Sequence, residues 1–297
     1  MSDGRVGGLN GIISSVILST TILAASMAVT SPPFRSMVEA SVDGRLAASG
    51  TFEPAALSRF VDYPPSGAVA NSAMMYLNSP FKPNPKFWAK DVDFSCASPW
   101  NSAGGSVRAG TAISPRHIVF AKHFPLWKDV RVVFVGNDGS PCACYVDKVK
   151  ALRKGDIMIA SLDAELPPTV TPAKILPANY TNFIGQVEGL PSVAMTQEEK
   201  ATVWDLTPLS TNSVYDLFNF LRTENPPRSQ YRVKIRSGDS GSPVFLIAGR
   251  EPILLYCLTT SQGGYAMHLF RNEIQTVMDE LCPGYKLEEF DFAAVGR

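Results

Sequence analysis

A serine in a tight turn between glycines is the residue of this chain best suited to chemistry. Ser240 lies in the segment 237–244, SGDSGSPV, directly before an apolar run. Glycines on both sides allow main-chain conformations that a Cβ would forbid, so that amide N–H groups can converge beside the hydroxyl. Such donors stabilise the oxyanion that forms when a serine attacks an acyl carbon. The segment therefore indicates an acyl-transfer nucleophile; the alternative is a Ser/Gly loop between strands.

A serine nucleophile needs a general base, and the chain has only three histidines. His123 ends the segment 110–123, GTAISPRHIVFAKH, which is typical of a strand, a Ser-Pro turn and a second apolar strand. This position makes His123 the candidate base. We expect His117, near the turn, to be a surface or strand-edge residue, and His268 to be a packed or half-exposed side chain.

The base in turn needs an acid that orients it, and Asp156 is the candidate. It opens the apolar run 157–162, where a carboxylate is partly buried and requires a partner such as the imidazole N–H of His123. Four other aspartates lie in polar or turn-like contexts that predict solvated carboxylates: Asp129, Asp138, Asp147 and Asp163.

The three segments, in this order, resemble the His, Asp and Ser motifs of the trypsin-like (chymotrypsin-fold) serine peptidases, approximately GTLISPRHVLTAAH, DIALL and GDSGGPV. The resemblance covers roughly residues 96 to 290. It implies that His123 is the general base, Asp156 its orienting acid and Ser240 the nucleophile, with the N–H groups of Gly238 and Ser240 as the oxyanion hole. It also implies an all-β fold of two packed antiparallel six-stranded barrels, with a C-terminal helix and an N-terminal extension.

Departures from the family pattern place the chain nearest to bacterial-type members that lack the usual disulfides. Ser242 replaces a glycine, Phe124 replaces the cysteine after the histidine, and no IVGG-like segment precedes Gly110. In animal digestive members a newly cut N-terminus pairs with the aspartate before the serine. Asp239 would need another cation here, and five residues could supply it: Arg222, Arg228, Arg232, Lys234 and Arg236. We therefore expect a site that forms without proteolytic activation.

The family's specificity pocket is lined by the residues before the serine turn and by the strand after it. The resemblance assigns this role to Lys234, Ser237, Thr260 and Ser261. The stretch 234–237 has no acid that could bind a substrate Lys or Arg, which argues against trypsin-like cleavage. A basic wall favours acidic or small side chains; alternatively, Lys234 and Arg236 point into solvent from one face of a strand.

Short apolar runs between many prolines and glycines favour an all-β fold around these residues. Helical spacing of apolar residues between Phe270 and Leu281, ended by Cys282-Pro283-Gly284, predicts a C-terminal helix, and the stretch from Val214 to Leu221 predicts a second helix. The predicted strands are 107–113, 117–121, 131–135, 157–162, 231–235, 244–248 and 253–259.

The N-terminal region is separate in character from the rest of the chain. Residues 6–34 carry no charge and contain small residues up to Ala28, which favours a signal peptide, then an uncleaved membrane anchor, then a buried helix. The expected division is a signal peptide or anchor at 1–29, an extension, linker or pro-segment at 30–95, a peptidase domain at 96–290 and a tail at 291–297. The protein is accordingly expected to be secreted or periplasmic, or else anchored with an extracytoplasmic domain.

Composition excludes several other classes of partner. A net charge of +0 and a pI near 6.8 show no sign of nucleic-acid binding. The five cysteines form no C-x-x-C pair, so that no metal or cofactor is expected. Their odd number leaves at least one unpaired, and the connectivity of any disulfides stays open.

We therefore expect a monomeric serine endopeptidase that acts on a peptide or protein and contacts a membrane only through an N-terminal anchor. Two alternatives stay open: a catalytically inactive peptidase homologue that serves as a binding module, and a serine esterase on the same fold.

Overall fold

Runs of β-branched and aromatic residues, such as Val132–Val135, form most of the regular structure in the computed structural model of the chain. The structure describes residues 32–61, 81–98, 108–196, 199–211, 216–221 and 225–295. The segment expected to be a signal peptide or membrane anchor thus lies almost wholly outside the described residues. Within them, no helix is long and apolar enough to cross a membrane.

Five strands form a first sheet, in the order β1-β2-β5-β4-β3, with every neighbouring pair antiparallel. Its strands are β1 (Thr111–Ser114), β2 (His117–Ala121), β3 (Arg131–Val135), β4 (Pro141–Ala151) and β5 (Ile157–Leu162). Strands β2 and β5 are buried along their whole length, which makes them the rigid centre of this sheet.

The second sheet has eight strands, in the order β13-β10-β8-β7-β11-β12-β6, with β9 beside β10. Its pairs are antiparallel except for β12 with β6. Its strands are β6 (Lys174–Ile175), β7 (Pro191–Met195), β8 (Ala201–Leu206), β9 (Ser210–Thr211), β10 (Asp216–Leu221), β11 (Pro243–Ala248), β12 (Glu251–Cys257) and β13 (Gly263–Tyr265).

The all-β fold class is confirmed, whereas the expected pair of six-stranded barrels is not. The described strands divide into sheets of five and eight, and one sheet curls into a half-barrel.

Helices are few among the described residues, and the predicted C-terminal helix is one of them. Helix α3 (Arg271–Leu281) buries Ile274, Val277, Met278 and Leu281, the face that the helical spacing predicted. The other described helices are α1 (Arg35–Ala48), α2 (Thr181–Ile184) and α4 (Phe292–Val295), with 3₁₀ turns at Pro54–Leu57, Arg228–Tyr231 and Met267–Phe270.

Two predicted elements are wrong. The stretch predicted as a helix from Val214 to Leu221 begins outside the described residues and continues as strand β10, in which Phe218 pairs with Gly264 of β13. Sheet pairing therefore overrides the local helical spacing. The strand predicted at 231–235 is the end of a 3₁₀ turn at Tyr231 followed by chain outside any sheet.

The described part of the N-terminal extension is built into the core. Val38, Val42 and Leu46 of α1 are fully or almost fully buried. Further along, Arg59 donates to the carbonyl of Val135 in the first sheet (3.1 Å), and its main-chain N–H donates to the carbonyl of Glu199 in the turn between β7 and β8 (2.9 Å). The extension thereby bonds to both sheets, which together position the candidate site.

Candidate active site

Pairing of β2 with β5 brings His123 and Asp156 together. Ala121 at the end of β2 pairs with Ile157 at the start of β5. His123 comes two residues after β2, and Asp156 comes one residue before β5. The antiparallel pairing thus places an imidazole and a carboxylate at the same end of these two central strands.

The carboxylate of Asp156 holds His123 at two points. Oδ1 accepts the main-chain N–H of His123 (2.8 Å), and Oδ2 bonds to the ring Nδ1. The Asp156 side chain is 22% exposed and the His123 side chain 46%, so that the imidazole lies at the surface on a partly buried acid. A carboxylate can only accept, so Nδ1 carries the proton and Nε2 is the acceptor of the neutral ring.

Ser240 reaches the same point from the second sheet. It lies in the turn that leads into β11, between two glycines whose φ angles are positive, +98° at Gly238 and +87° at Gly241. A Cβ on Gly241 would lie 2.8 Å from the carbonyl oxygen of Ala109, and its N–H donates to the carbonyl of Leu258 (2.8 Å). Only glycine combines this conformation with so close an approach to a neighbouring segment of the main chain.

The three predicted side chains form one hydrogen-bonded relay. The Nε2 atom of His123 lies 2.9 Å from the Oγ atom of Ser240, within ordinary hydrogen-bond distance. With Nδ1 protonated against Asp156, Nε2 is free to accept the hydroxyl proton of Ser240. The arrangement can therefore convert a hydroxyl into a nucleophile.

The amides of the serine turn fall into two groups. The N–H groups of Asp239, Gly241 and Ser242 donate to main-chain carbonyls at 3.1, 2.8 and 3.0 Å. Among the residues that the structure describes, the N–H groups of Gly238 and Ser240 donate to none. These two are the predicted oxyanion-hole donors, and they stay available for a ligand.

Asp239, between the two donors, is a structural part of the turn. It is 2% exposed, and its Oδ2 accepts the main-chain N–H of Arg236 (2.6 Å). Of the cations suggested for it, Arg228 pairs instead with Asp43 and Asp205 (2.6 and 2.7 Å), and Arg222 lies outside the described residues.

Arg108 restrains the loop after the histidine, a role that sequence reasoning missed. Its guanidinium lies 4.8 Å from the ring centroid of Phe124, the residue after His123, and bonds to the carbonyl of Pro125. Phe124 stands where the resemblance expects a disulfide cysteine, and that departure was the signal for a substitute restraint nearby.

The four predicted substrate-binding residues lie on two exposed segments that meet beside Ser240. Lys234 and Ser237 precede the serine turn, and Thr260 and Ser261 lie in the turn between β12 and β13. Two main-chain hydrogen bonds hold these segments together: Gly241 N–H donates to the Leu258 carbonyl, and Leu258 N–H donates to the Ser242 carbonyl (both 2.8 Å). Among described residues, no hydrogen bond joins Lys234, Thr260 or Ser261 to the relay.

The other histidines do not belong to the relay. His117, expected at a surface or strand edge, is instead fully buried, because Ser114 Oγ satisfies its Nδ1 (2.8 Å) and its Nε2 donates to the Met278 carbonyl (3.1 Å). His268 is packed between aromatic rings, as expected, with Tyr180 and Phe218 at centroid distances of 5.0 and 5.7 Å.

The thiol of Cys257, which interacts electrostatically with Asp156, is not a rival nucleophile. Burial raises the pKa of Cys257 to about 12, and the neighbouring Asp156 carboxylate adds to the shift. A thiol with so high a pKa stays protonated at neutral pH and is inert. Within the described part of the chain, no group of three or more His, Cys, Asp or Glu side chains could hold a metal ion.

Comparison with known proteins gives no assignment of its own. No protein-family model matches the chain, and no curated protein sequence does either.

Proposed function

We propose that the protein is a trypsin-like serine endopeptidase that hydrolyses peptide bonds through an acyl-enzyme on Ser240. The observation that carries the proposal is the continuous relay from Asp156 through His123 to the Ser240 hydroxyl, with its 2.9 Å bond at the nucleophile. In this proposal the five- and eight-stranded sheets correspond to the two barrels of that fold.

In the first half-reaction, Ser240 Oγ attacks the carbonyl carbon of the substrate while Nε2 of His123 takes the hydroxyl proton. The π electrons of the carbonyl move onto oxygen, and the N–H groups of Gly238 and Ser240 stabilise the resulting oxyanion. Asp156 stabilises the imidazolium. When the oxyanion collapses, the C–N bond breaks and His123 gives its proton to the leaving amine, so that an ester on Ser240 remains.

In the second half-reaction, a water molecule replaces the amine. His123 takes a proton from the water as its oxygen attacks the ester carbon. The tetrahedral intermediate collapses with release of Ser240 Oγ, which recovers the proton from His123. The products are a carboxylic acid, an amine and the original hydroxyl.

Labelling with a fluorophosphonate probe, followed by a peptide-library cleavage profile, tests the proposal. The wild type should be labelled at Ser240 and should cleave peptides, whereas Ser240→Ala should do neither. Ser242→Ala is the matched control, because this buried serine of the same turn has an Oγ with no hydrogen-bond partner among the described residues. Hydrolysis of esters without hydrolysis of peptides would contradict a peptidase in favour of an esterase, and absence of labelling would contradict acyl transfer altogether.

A further inference from the structure

Exposed basic side chains accompany all three segments that carry the relay. One precedes His123 directly, two lie in the turn before Asp156, and two lie on the segment that enters the serine turn. These five exposed residues are Lys122, Arg153, Lys154, Lys234 and Arg236. The whole chain has 27 basic and 27 acidic residues, so that this concentration is not a consequence of composition.

Acidic side chains in the same segments do not offset these charges at the surface. The residues 120–126, 152–158 and 232–242 contain two acids, Asp156 and Asp239. Asp156 bonds to His123, and Asp239 is buried. From outside these segments, the Glu273 carboxylate accepts the main-chain N–H of Arg153 (2.6 Å) and offsets charge at that point. The positive charge that the segments present to solvent is therefore assigned chiefly to Lys122, Lys154 and Lys234.

The three lysines of this group have no carboxylate partner among the described residues, in contrast to some lysines elsewhere in the chain. Lys86, Lys150 and Lys174 each bond to a carboxylate of the protein. Lys122, Lys154 and Lys234 take part in none of the ion pairs between described residues. The charges of these three lysines are therefore available to interact with a ligand.

We propose that the site selects peptides that carry Asp or Glu residues beside the scissile bond. This inference rests on the proposed peptidase function and names the class of its substrate. A cleft of one charge sign attracts substrates of the opposite sign and raises the rate of productive encounter. Lys234, on the segment that leads to Ser240, is the residue to which we assign the nearest substrate carboxylate.

The expected size of the preference follows from the exposure of these lysines. Single solvent-exposed ion pairs change an equilibrium by roughly two- to fivefold. Each lysine alone should therefore have a modest effect on kcat/KM, and the three together should change it by about tenfold. Salt should weaken the effect, because exposed charges are screened.

The test uses three peptides with one common core and with Glu, Gln or Lys on both sides of the scissile bond. The expected order of kcat/KM is Glu above Gln above Lys, with differences that shrink between about 0.05 M and 0.5 M salt. Replacing Lys122, Lys154 and Lys234 together by Gln should remove most of the preference. Lys234→Glu alone should raise kcat/KM for the Lys peptide above the wild-type value.

Lys82→Gln is the matched control. Lys82 is also an exposed lysine, but it lies next to Phe81, which bonds to Gly139 in the turn between β3 and β4. This variant should keep the wild-type preference.

Fluorophosphonate labelling separates the two ways in which the inference could fail. Equal rates for the three peptides, or a preference for the Lys peptide, in an enzyme that the probe labels at Ser240 would overturn the acidic preference and leave acyl transfer intact. A wild-type protein that the probe does not label would overturn the proposed function and this inference with it.

Discussion

At the scale of single residues, the geometry of His123 depends on one carboxylate. Both oxygens of Asp156 bond to the same residue, one to the main chain and one to the ring. The first bond fixes where the loop runs, and the second fixes which ring nitrogen carries the proton. A single side chain thus determines both the position and the tautomer of the base.

Asp156→Asn should therefore lower kcat by about 10⁴, as the same change does in trypsin-like enzymes. The amide can still accept the main-chain N–H of His123, but an NH₂ group facing Nδ1 favours the tautomer in which Nε2 carries the proton. Nε2 could then not accept the Ser240 proton. Steady-state kinetics with an active-site titration measure the loss, and retention of most activity would remove Asp156 from the mechanism.

We expect Arg108 to act on the relay indirectly, as a positioning residue. Its contacts with Phe124 and Pro125 hold the two residues that follow His123. A cation–π contact contributes about 0.5 to 2 kcal/mol. We expect Arg108→Met to lower kcat by about tenfold with a smaller change in KM, and Arg108→Lys to recover part of the loss because the charge over the ring is kept.

Thermal unfolding of the same two variants distinguishes positioning from general stabilisation. If Arg108 only stabilised the fold, kcat at 25 °C would stay at the wild-type value while the melting temperature fell. That result would contradict the positioning role.

At the scale of elements, sequence patterns identified the strands that carry the relay better than the strands that surround it. Strands β2 and β5 consist mostly of apolar residues, and the glycines around Ser240 mark a tight turn, so these features are visible locally. Strand β4 alternates between buried and exposed residues among several charges, and β10 carries helical spacing.

Helix α1 contains a glycine, Gly44, and is stabilised mainly by the burial of Val38, Val42 and Leu46. Such elements depend on partners distant in sequence.

A buried ion cluster joins one of these unpredicted elements to the second sheet. Arg228, whose side chain is 6% exposed, bonds to Asp43 of α1 and Asp205 of β8. Arg228→Met should lower the free energy of unfolding by about 3 kcal/mol, because it leaves the carboxylate of Asp205, 13% exposed, without its cation. Asp43→Asn should cost about 1 kcal/mol, since Asp43 is 36% exposed.

Urea unfolding monitored by circular dichroism measures both changes, with Lys86→Gln as a control that removes an exposed ion pair. Equal costs for Arg228→Met and the control would mean that the cluster does not stabilise the attachment of α1.

At the scale of the whole molecule, the relay exists only if the two sheets keep their relative position. His123 and Asp156 come from the first sheet, and Ser240 comes from the turn before β11 in the second. Arg59 bonds to both sheets, and Cys257 of β12 lies with its Sγ 3.8 Å from the carbonyl of Val119 in β2. No local sequence pattern reveals such contacts, because they join residues more than 70 positions apart.

Acidic pH should lower the free energy of unfolding of the protein because two of its histidines are buried. Burial lowers the pKa of both His117 and His268 to about 4, whereas an unfolded histidine has a pKa near 6.5. Between these values the unfolded chain binds more protons than the folded chain, so stability falls as the pH falls from 6.5 to 4, by about 2 to 3 kcal/mol for each histidine. Burial also raises the pKa of Glu199 to about 7, although Arg59 opposes the shift, and this acid makes stability fall as the pH rises from about 4.5 to 7.

A comparison with His117→Gln separates these opposing contributions. Glutamine can donate to Met278 and accept from Ser114, as His117 does, but it does not titrate. The urea unfolding free energy of wild type, measured at pH 7 and pH 4.5, should therefore decline more steeply toward acid than that of the variant, by about 2 kcal/mol. Both proteins share Glu199 and His268, so these two residues cancel in the difference. Identical pH slopes for the two proteins would mean that His117 is protonated as readily in the folded chain as in the unfolded one.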